Sequence, residues 1–279
     1  MARDMVGVVN EALQGRYVAE REVGRGAAAR VYRAHDAAGR LVALKVLHPE
    51  LLVSSAAERF LREVKLIGEL DHPHIARLLD SGNMGWLVYY VMPFIEGPSL
   101  KEALVPGTPM PVAQATTIGL DLLGALAHAH ERGLVHRDVK PDNVILSPTE
   151  GAVLLDFGIA RAIASSGADR LTVSGMTVGT AAYMSPEQVL GDDGLDHRSD
   201  IYSLGCVLFE CLAGKPVYAG VNDAVAMSMQ VTGPVPDLAS LRPDLPSAVV
   251  NAVHRALAKT KEGRWQSAGE MREALGVRG

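Results

Sequence analysis

Cysteine is almost absent from this 279-residue chain: Cys206 and Cys211 are the only two. Five positions apart on one predicted helix, they point in different directions and cannot easily close a disulfide. They read as packed thiols of a reducing compartment. No apolar run reaches the ~18 residues of a membrane-spanning helix. The start, Met1-Ala2-Arg3-Asp4-Met5, lacks the apolar core of a secretory leader. Positive charge is not in excess either: the formal net charge is −5, which argues against a general nucleic-acid binder. Internal repeats, low-complexity tracts and long charge runs are missing. The nine histidines include two spaced pairs, His72-Pro73-His74 and His128-Ala129-His130, but no cysteine or further histidine completes a metal site at ligand spacing. What remains is an ordinary globular composition at a length that suits two packed lobes.

Hydrophobic patterning divides the chain in two. Residues 1–15 read as a lead-in, a helix or a loose end. Arg16 to Val23 and Arg30 to Ala37 read as strands around the turn Gly24-Arg25-Gly26, Ala38-Gly39 as a hairpin turn, and Leu41 to Leu47 as a third strand. Ser54 or Ser55 caps a helix to about Leu70, with Phe60, Leu61, Val64 and Ile67 as its apolar stripe. His72-Pro73 ends it. Ala76 to Leu79 and Trp86 to Met92 read as two more strands, the second buried. After Pro93 the pattern turns helical. Ala113 to Arg132 carries Leu120, Leu123, Ala127 and His130 on one face and stops at Gly133. Asp200 to Leu212 is apolar on most sides, hence central and buried, and stops at Gly214. Two more helices follow at about 246–259 and 267–275. Five strands with one helix, then a helical bundle, predict an α+β fold in two lobes.

The chemistry concentrates in His136-Arg137-Asp138-Val139-Lys140-Pro141-Asp142-Asn143-Val144 and in Asp156-Phe157-Gly158. In-line phosphoryl transfer needs a carboxylate to orient the attacking hydroxyl, which Asp138 can supply. Positive charge near the transferred group fits Lys140. An oxygen ligand for magnesium fits Asn143, with Asp156 as the principal metal carboxylate. Upstream, the backbone N–H groups of the Gly24–Gly26 turn can cradle phosphate oxygens. Lys45 lies between apolar neighbours on a strand, a costly place for a charge without a partner.

Together these segments resemble the protein kinases, specifically the bacterial eukaryotic-like (Hanks-type) serine/threonine kinases, over about residues 16–277. The resemblance implies a two-lobed protein kinase fold. Residues 16–93 would be a small lobe of a five-stranded antiparallel sheet and one helix. Residues 94–98 would be a hinge, and 99–277 a larger helical lobe. Lys45 would hold the α- and β-phosphates, positioned by Glu63, with Glu58 the alternative on another helix face. Val23, Gly24, Arg25, Gly26, Ala27 and Ala29 would bind ATP, Ala29 standing where the family has a third glycine. Adenine would lie between Val31, Ala43 and Ile145, its edge on the backbone of Pro93 and Ile95, with Met92 as gatekeeper.

Asp138 and Lys140 would be catalytic, and Asn143 and Asp156 would hold the metal. Lys140 also marks the serine/threonine class. Thr180 would bond to Asp138 and Lys140 and shape the acceptor platform. Glu187, in Ser185-Pro186-Glu187 where the family has Ala-Pro-Glu, would pair with Arg264. Asp200 would brace the catalytic loop. Arg137 and Arg161 would receive a phosphate on Thr172, Ser174 or Thr177. The implied cofactors are ATP and Mg²⁺, with Mn²⁺ as a substitute. The implied partners are protein substrates and a second copy for trans-autophosphorylation, with no nucleic acid and no membrane segment. The implied location is cytoplasmic, for a free-standing enzyme or the catalytic part of a longer membrane-anchored protein. A pseudokinase scaffold and a small-molecule kinase are the rival readings.

Overall fold

A computed structural model describes residues 5–26, 29–48, 64, 67–84, 87–157 and 180–276. They form two compact units, one from the described residues up to 71 and from 76–95, the other from 72–75, 96–157 and 180–276. Among the described residues no helix is long and apolar enough to cross a membrane.

The first unit is a five-stranded antiparallel sheet in the order β1-β2-β3-β5-β4. Its strands are β1 (Tyr17–Arg25), β2 (Ala29–Asp36), β3 (Leu41–Leu47), β4 (Asp80–Met84) and β5 (Leu87–Pro93). Strand side chains alternate between faces, and β3 uses this fully. Val42, Leu44 and Val46 point to one face, where they join Tyr32, Ala34, Tyr89 and Val91 in a buried cluster. That face is covered by helix α1 (Met5–Leu13), whose Val9 and Leu13 are fully buried in the same cluster. The lead-in is thus a helix. Asn10 clasps the edge strand: its side chain donates to the Ala19 carbonyl at 3.0 Å and accepts from the Ala19 N–H at 2.7 Å. This tie sits beside a break in the β1–β2 register between Ala19 and Arg21.

The fourth strand differs from expectation. Ala76 to Leu79 is irregular, and the strand is Asp80–Met84. Its sequence, DSGNM, has little strand propensity of its own. It is held by pairing along buried β5, an instance of context overriding propensity. Of the helix expected from Ser54 or Ser55, only Val64 and Ile67 to Leu70 are described. Val64, Ile67 and Leu70 are buried.

The second unit is mainly helical. Helix α2 (Leu100–Ala103) starts with a capping box of Ser99 and Glu102. Helix α3 (Val112–His130) is followed by a turn that closes at Gly133, whose φ of +72° only glycine adopts freely. Its buried residues include Ala115, Ile118, Leu122, Leu123, Leu126 and Ala129; of the expected face Leu123 is buried, while Leu120, Ala127 and His130 are half-buried beside it. A small ladder joins β6 (Val144–Ser147) and β7 (Gly151–Leu154). Then follow α4 (Pro186–Leu190), α5 (Arg198–Ala213), α6 (Asp223–Thr232), α7 (Leu238–Leu241), α8 (Ser247–Ala256) and α9 (Ala268–Gly276). Every residue of α5 from Ser199 to Leu212 is buried, as a helix apolar on most sides requires, and the polar Ser199, Asp200, Ser203 and Glu210 are buried with it. Cys206 and Cys211 lie there as free thiols, pushed up to about 12 by burial.

Candidate active site

The loop from His136 to Lys140 is irregular and leads into a 3₁₀ turn, Pro141–Asn143, so its polar backbone needs partners from elsewhere. Asp200, at the start of α5 and fully buried, supplies them. Its carboxylate accepts from the N–H of His136 and of Arg137, both at 2.8 Å, and meets His130 Nε2 at 2.8 Å. Burial pushes the Asp200 carboxyl up, but the His130 and backbone hydrogen bonds outweigh it and hold the group below the usual carboxylate range. Arg137 takes a φ of +70°, a conformation that non-glycine residues seldom adopt. Its carbonyl accepts from Gln188 Nε2 at 2.7 Å.

His136 links the loop to the strand pair. Its Nδ1 accepts from the Asp138 N–H at 3.1 Å, so its Nε2 carries the proton that meets the Leu155 carbonyl at 2.8 Å. Phe157 packs edge-on against the His136 ring, centroids 4.6 Å apart.

These ties bring the chemical groups together. Lys140 Nζ lies 2.9 Å from Asp138 Oδ2. Asn143 Nδ2 donates to the same Oδ2 at 2.9 Å and to the Asp138 carbonyl at 2.8 Å. With its N–H₂ engaged on Asp138, the Asn143 carboxamide turns its oxygen elsewhere. The Leu155 N–H donates to the Asn143 backbone carbonyl at 2.8 Å, which places Asp156 one residue beyond that contact. Asp156 has a φ of +59°, the second strained residue of the site. A carboxylate and an amide oxygen so placed are the hard ligands that Mg²⁺ takes.

The acceptor side follows. Thr180 opens a 3₁₀ turn, Thr180–Tyr183. Its Oγ1 lies 3.4 Å from Lys140 Nζ, so it reaches Asp138 through Lys140 rather than directly. The Tyr183 hydroxyl donates to buried Glu210. Glu187 and Arg264 form the expected pair, bidentate at 2.6 and 2.8 Å, with Arg264 fully buried. Burial raises the Glu187 carboxyl, yet Arg264 and Ser199 hold it below its ordinary value. The remaining Arg264 N–H bonds go to the carbonyls of Ala258, Arg198 and Lys259.

The first unit presents its own set. Lys45 lies opposite Val31 on β2 and Tyr90 on β5; Ala43 lies opposite Arg33 and Met92. Cross-strand partners share a face, so Val31, Ala43, Lys45 and Met92 lie on the face away from α1. Lys45 Nζ is 5.7 Å from the Tyr90 ring centroid. Val23 sits at a register break in β1 and is exposed. The glycine turn closes through the Gly26 N–H, which donates to the Ala29 carbonyl at 2.9 Å. Glu22 holds Arg25 at 2.8 Å and Arg30 at 3.2 Å on either side of it. A Cβ on Gly24 or Gly26 would meet nothing closer than 3.7 Å. Their smallness therefore leaves the backbone open rather than relieving a clash. Pro93 ends β5 exposed and Ile95 is half-buried, while Ile145 belongs to the second unit, on β6.

Glu63, Ala27, Arg161, Thr172, Ser174 and Thr177 lie outside the described residues. Tyr90, Gln188 and Glu210 escape a reading of the sequence. Gln188 has a local signal, since Ser185 and Gln188 form the capping box of α4. The other two are visible only through strand register and tertiary contact.

Residues 17–271 match the family model described as the protein kinase domain. The serine/threonine-protein kinase PknB of Mycobacterium leprae is 41% identical over 270 residues, covering 94% of this chain and 43% of the relative. The DNA damage-responsive serine/threonine-protein kinase RqkA of Deinococcus radiodurans is 40% identical over 259 residues, covering 91% and 38%. The serine/threonine-protein kinase PknH of Mycobacterium bovis is 36% identical over 259 residues, covering 92% and 43%. The chain thus spans about two fifths of the length of these curated relatives.

Proposed function

This chain belongs to the protein kinase domain family, and on that premise we propose that it transfers the γ-phosphate of ATP to serine or threonine hydroxyls of proteins in bacterial signalling. The observation that carries the reading is the sharing of one Asp138 oxygen. Lys140 and Asn143 both bind Oδ2, which leaves Oδ1 to accept the proton of an incoming hydroxyl. As the hydroxyl oxygen bonds to the γ-phosphorus, the bond from phosphorus to the β,γ-bridging oxygen breaks. The hydroxyl proton passes to Asp138, and ADP leaves. Lys140 balances negative charge beside the transferred group. Lys45 and the open backbone at Gly24 and Gly26 are the groups of the first unit suited to phosphate oxygens, with Val31, Ala43 and Met92 as an apolar seat for adenine. Mg²⁺, held by Asn143 and Asp156, would neutralise charge on the phosphates.

Domain limits of 16–93, 94–98 and 99–277, activation through phosphate on Thr172, Ser174 or Thr177, and pairing of two copies for that step belong to the same proposal. So does a cytoplasmic catalytic role, whether free-standing or within a longer membrane-anchored protein. The test is intact mass before and after Mg²⁺-ATP, beside Asp138→Asn. Added multiples of phosphate on the wild type alone are expected. Nucleotide binding without added mass, on the chain itself or on a protein acceptor, would favour a scaffold that has lost catalysis. Alanine at all three loop residues is expected to lower activity; unchanged activity would remove the switch.

A further inference from the structure

Behind the acceptor turn lies a buried polar chain that the proposed chemistry does not use. Gln230, on the last turns of α6, is fully buried. Its Oε1 accepts from the Tyr202 hydroxyl at 2.6 Å. Its Nε2 donates to the carbonyl of Ala182 at 2.6 Å and to that of Ala181 at 3.4 Å. The two carbonyls fix the orientation of the amide: turned over, its oxygen would face two groups that only accept.

Lys259 anchors the other end. Its Nζ meets Tyr218 Oη at 2.7 Å, the Gln230 carbonyl at 2.9 Å, Tyr202 Oη at 3.0 Å and the Met229 carbonyl at 3.2 Å. It also stands 5.5 and 5.0 Å from the ring centroids of Tyr202 and Tyr218. Tyr202 spends its proton on Gln230, and Tyr218 spends its own on the Gly233 carbonyl at 2.8 Å. Both phenol oxygens must therefore accept from Lys259. The bonds run one way, from Lys259 to Tyr202, to Gln230, to the carbonyls of Ala181 and Ala182. Burial lowers Lys259 to about 8, and these four oxygens are the acceptors that meet its ammonium.

The two carbonyls belong to the turn whose first residue, Thr180, touches Lys140. A trans peptide points its C=O and the next N–H in opposite directions. Fixing both carbonyls inward therefore sets the outward face of the turn. We propose that Gln230, held by Tyr202 and Lys259, is a positioning residue for the protein acceptor, fixing the acceptor turn through the carbonyls of Ala181 and Ala182. This rests on the kinase reading above and deepens it.

The test separates acceptor from nucleotide. Steady-state kinetics are measured with ATP varied and with two acceptors varied, casein and the Asp138→Asn chain. Gln230→Met matches length and removes both polar ends. Gln230→Glu keeps the size and the bond from Tyr202 but loses the N–H donors. Both are expected to raise acceptor KM about tenfold, the effect of a lost buried donor, while KM for ATP moves less than about twofold. Tyr202→Phe, which removes only the hydroxyl, is expected to shift acceptor KM the same way by about threefold. If Gln230→Met does not fold, Gln230→Glu decides alone. Unchanged acceptor KM in a folded Gln230 variant, or a fall in kcat that merely follows melting temperature, overturns the inference and leaves the kinase reading standing. A wild type that phosphorylates neither acceptor overturns both.

Discussion

In the second unit, Asp138 sits in a loop whose irregular backbone is tied to side chains: Asp200 at two N–H groups, His136 at a third, Gln188 at a carbonyl. In the first unit, Lys45 rides on β3, whose backbone is fixed by ladder bonds to β2 and β5. An irregular segment has to be specified by particular side chains, because no repeating pattern satisfies its polar groups. A strand in mid-sheet needs none, and its outward side chains are free to be chosen for chemistry. Stability and activity should therefore fall together in the loop and separately on the sheet.

Asp200→Ala attacks the loop at its root and carries the largest expected effect. It strands the N–H groups of His136 and Arg137 and the proton of His130 in a buried site. A loss of about 3–5 kcal/mol is expected from chemical denaturation, with phosphoryl transfer reduced by more than about a hundredfold. Retained activity in the folded fraction would break the link between support and catalysis. Arg264→Leu comes next. It leaves the Glu187 carboxylate buried without its cation, at about 3–5 kcal/mol, read as a lower urea midpoint. On the sheet, Lys45→Met is expected to reduce transfer about a hundredfold while the melting temperature stays close to the wild type. A large drop in melting temperature would show that the sheet depends on this side chain after all.

The smallest effect is one of pH. His72 stacks near His74 and His128, ring centroids 5.5 and 5.2 Å away, and faces Arg272 and Asp121. Burial first, then the two histidines, lower its pKa in the folded state. The unfolded chain then takes up the proton before the folded one does. Stability should be flat above the ordinary histidine range, fall as pH drops through it, and level off below the folded pKa. Urea midpoints between pH 8 and pH 5 read this directly, and His72→Gln should flatten the fall.

Much of the molecule is legible in the residues alone. β3 has its observed bounds in the sequence, because a mostly apolar run of seven residues sits between a glycine turn and a histidine. α5 declares itself by being apolar on most sides. The catalytic residues are legible because phosphoryl transfer demands particular groups at short spacing, and a loop delivers short spacing directly. β4 is not, since its residues take strand form only from β5. α6 escapes because it buries only Ala226 and Gln230, too few for a periodic signal. Gln230 and Tyr90 owe their importance to what lies across from them, which no local window contains.

The α1 helix has a consequence for anyone cutting this chain. The family match begins at residue 17, but the buried cluster begins at Val9 and Leu13. Between them lies only a short link, where Gln14 and Gly15 take φ values of +50° and +80°. A graft or chimera trimmed to the matched segment would carry Tyr32, Leu44 and Tyr89 on an open apolar sheet. It would leave the Ala19 backbone without its asparagine clasp. Such a product should aggregate or recruit a surrogate helix, so the transplantable module starts a helix earlier than its alignment does.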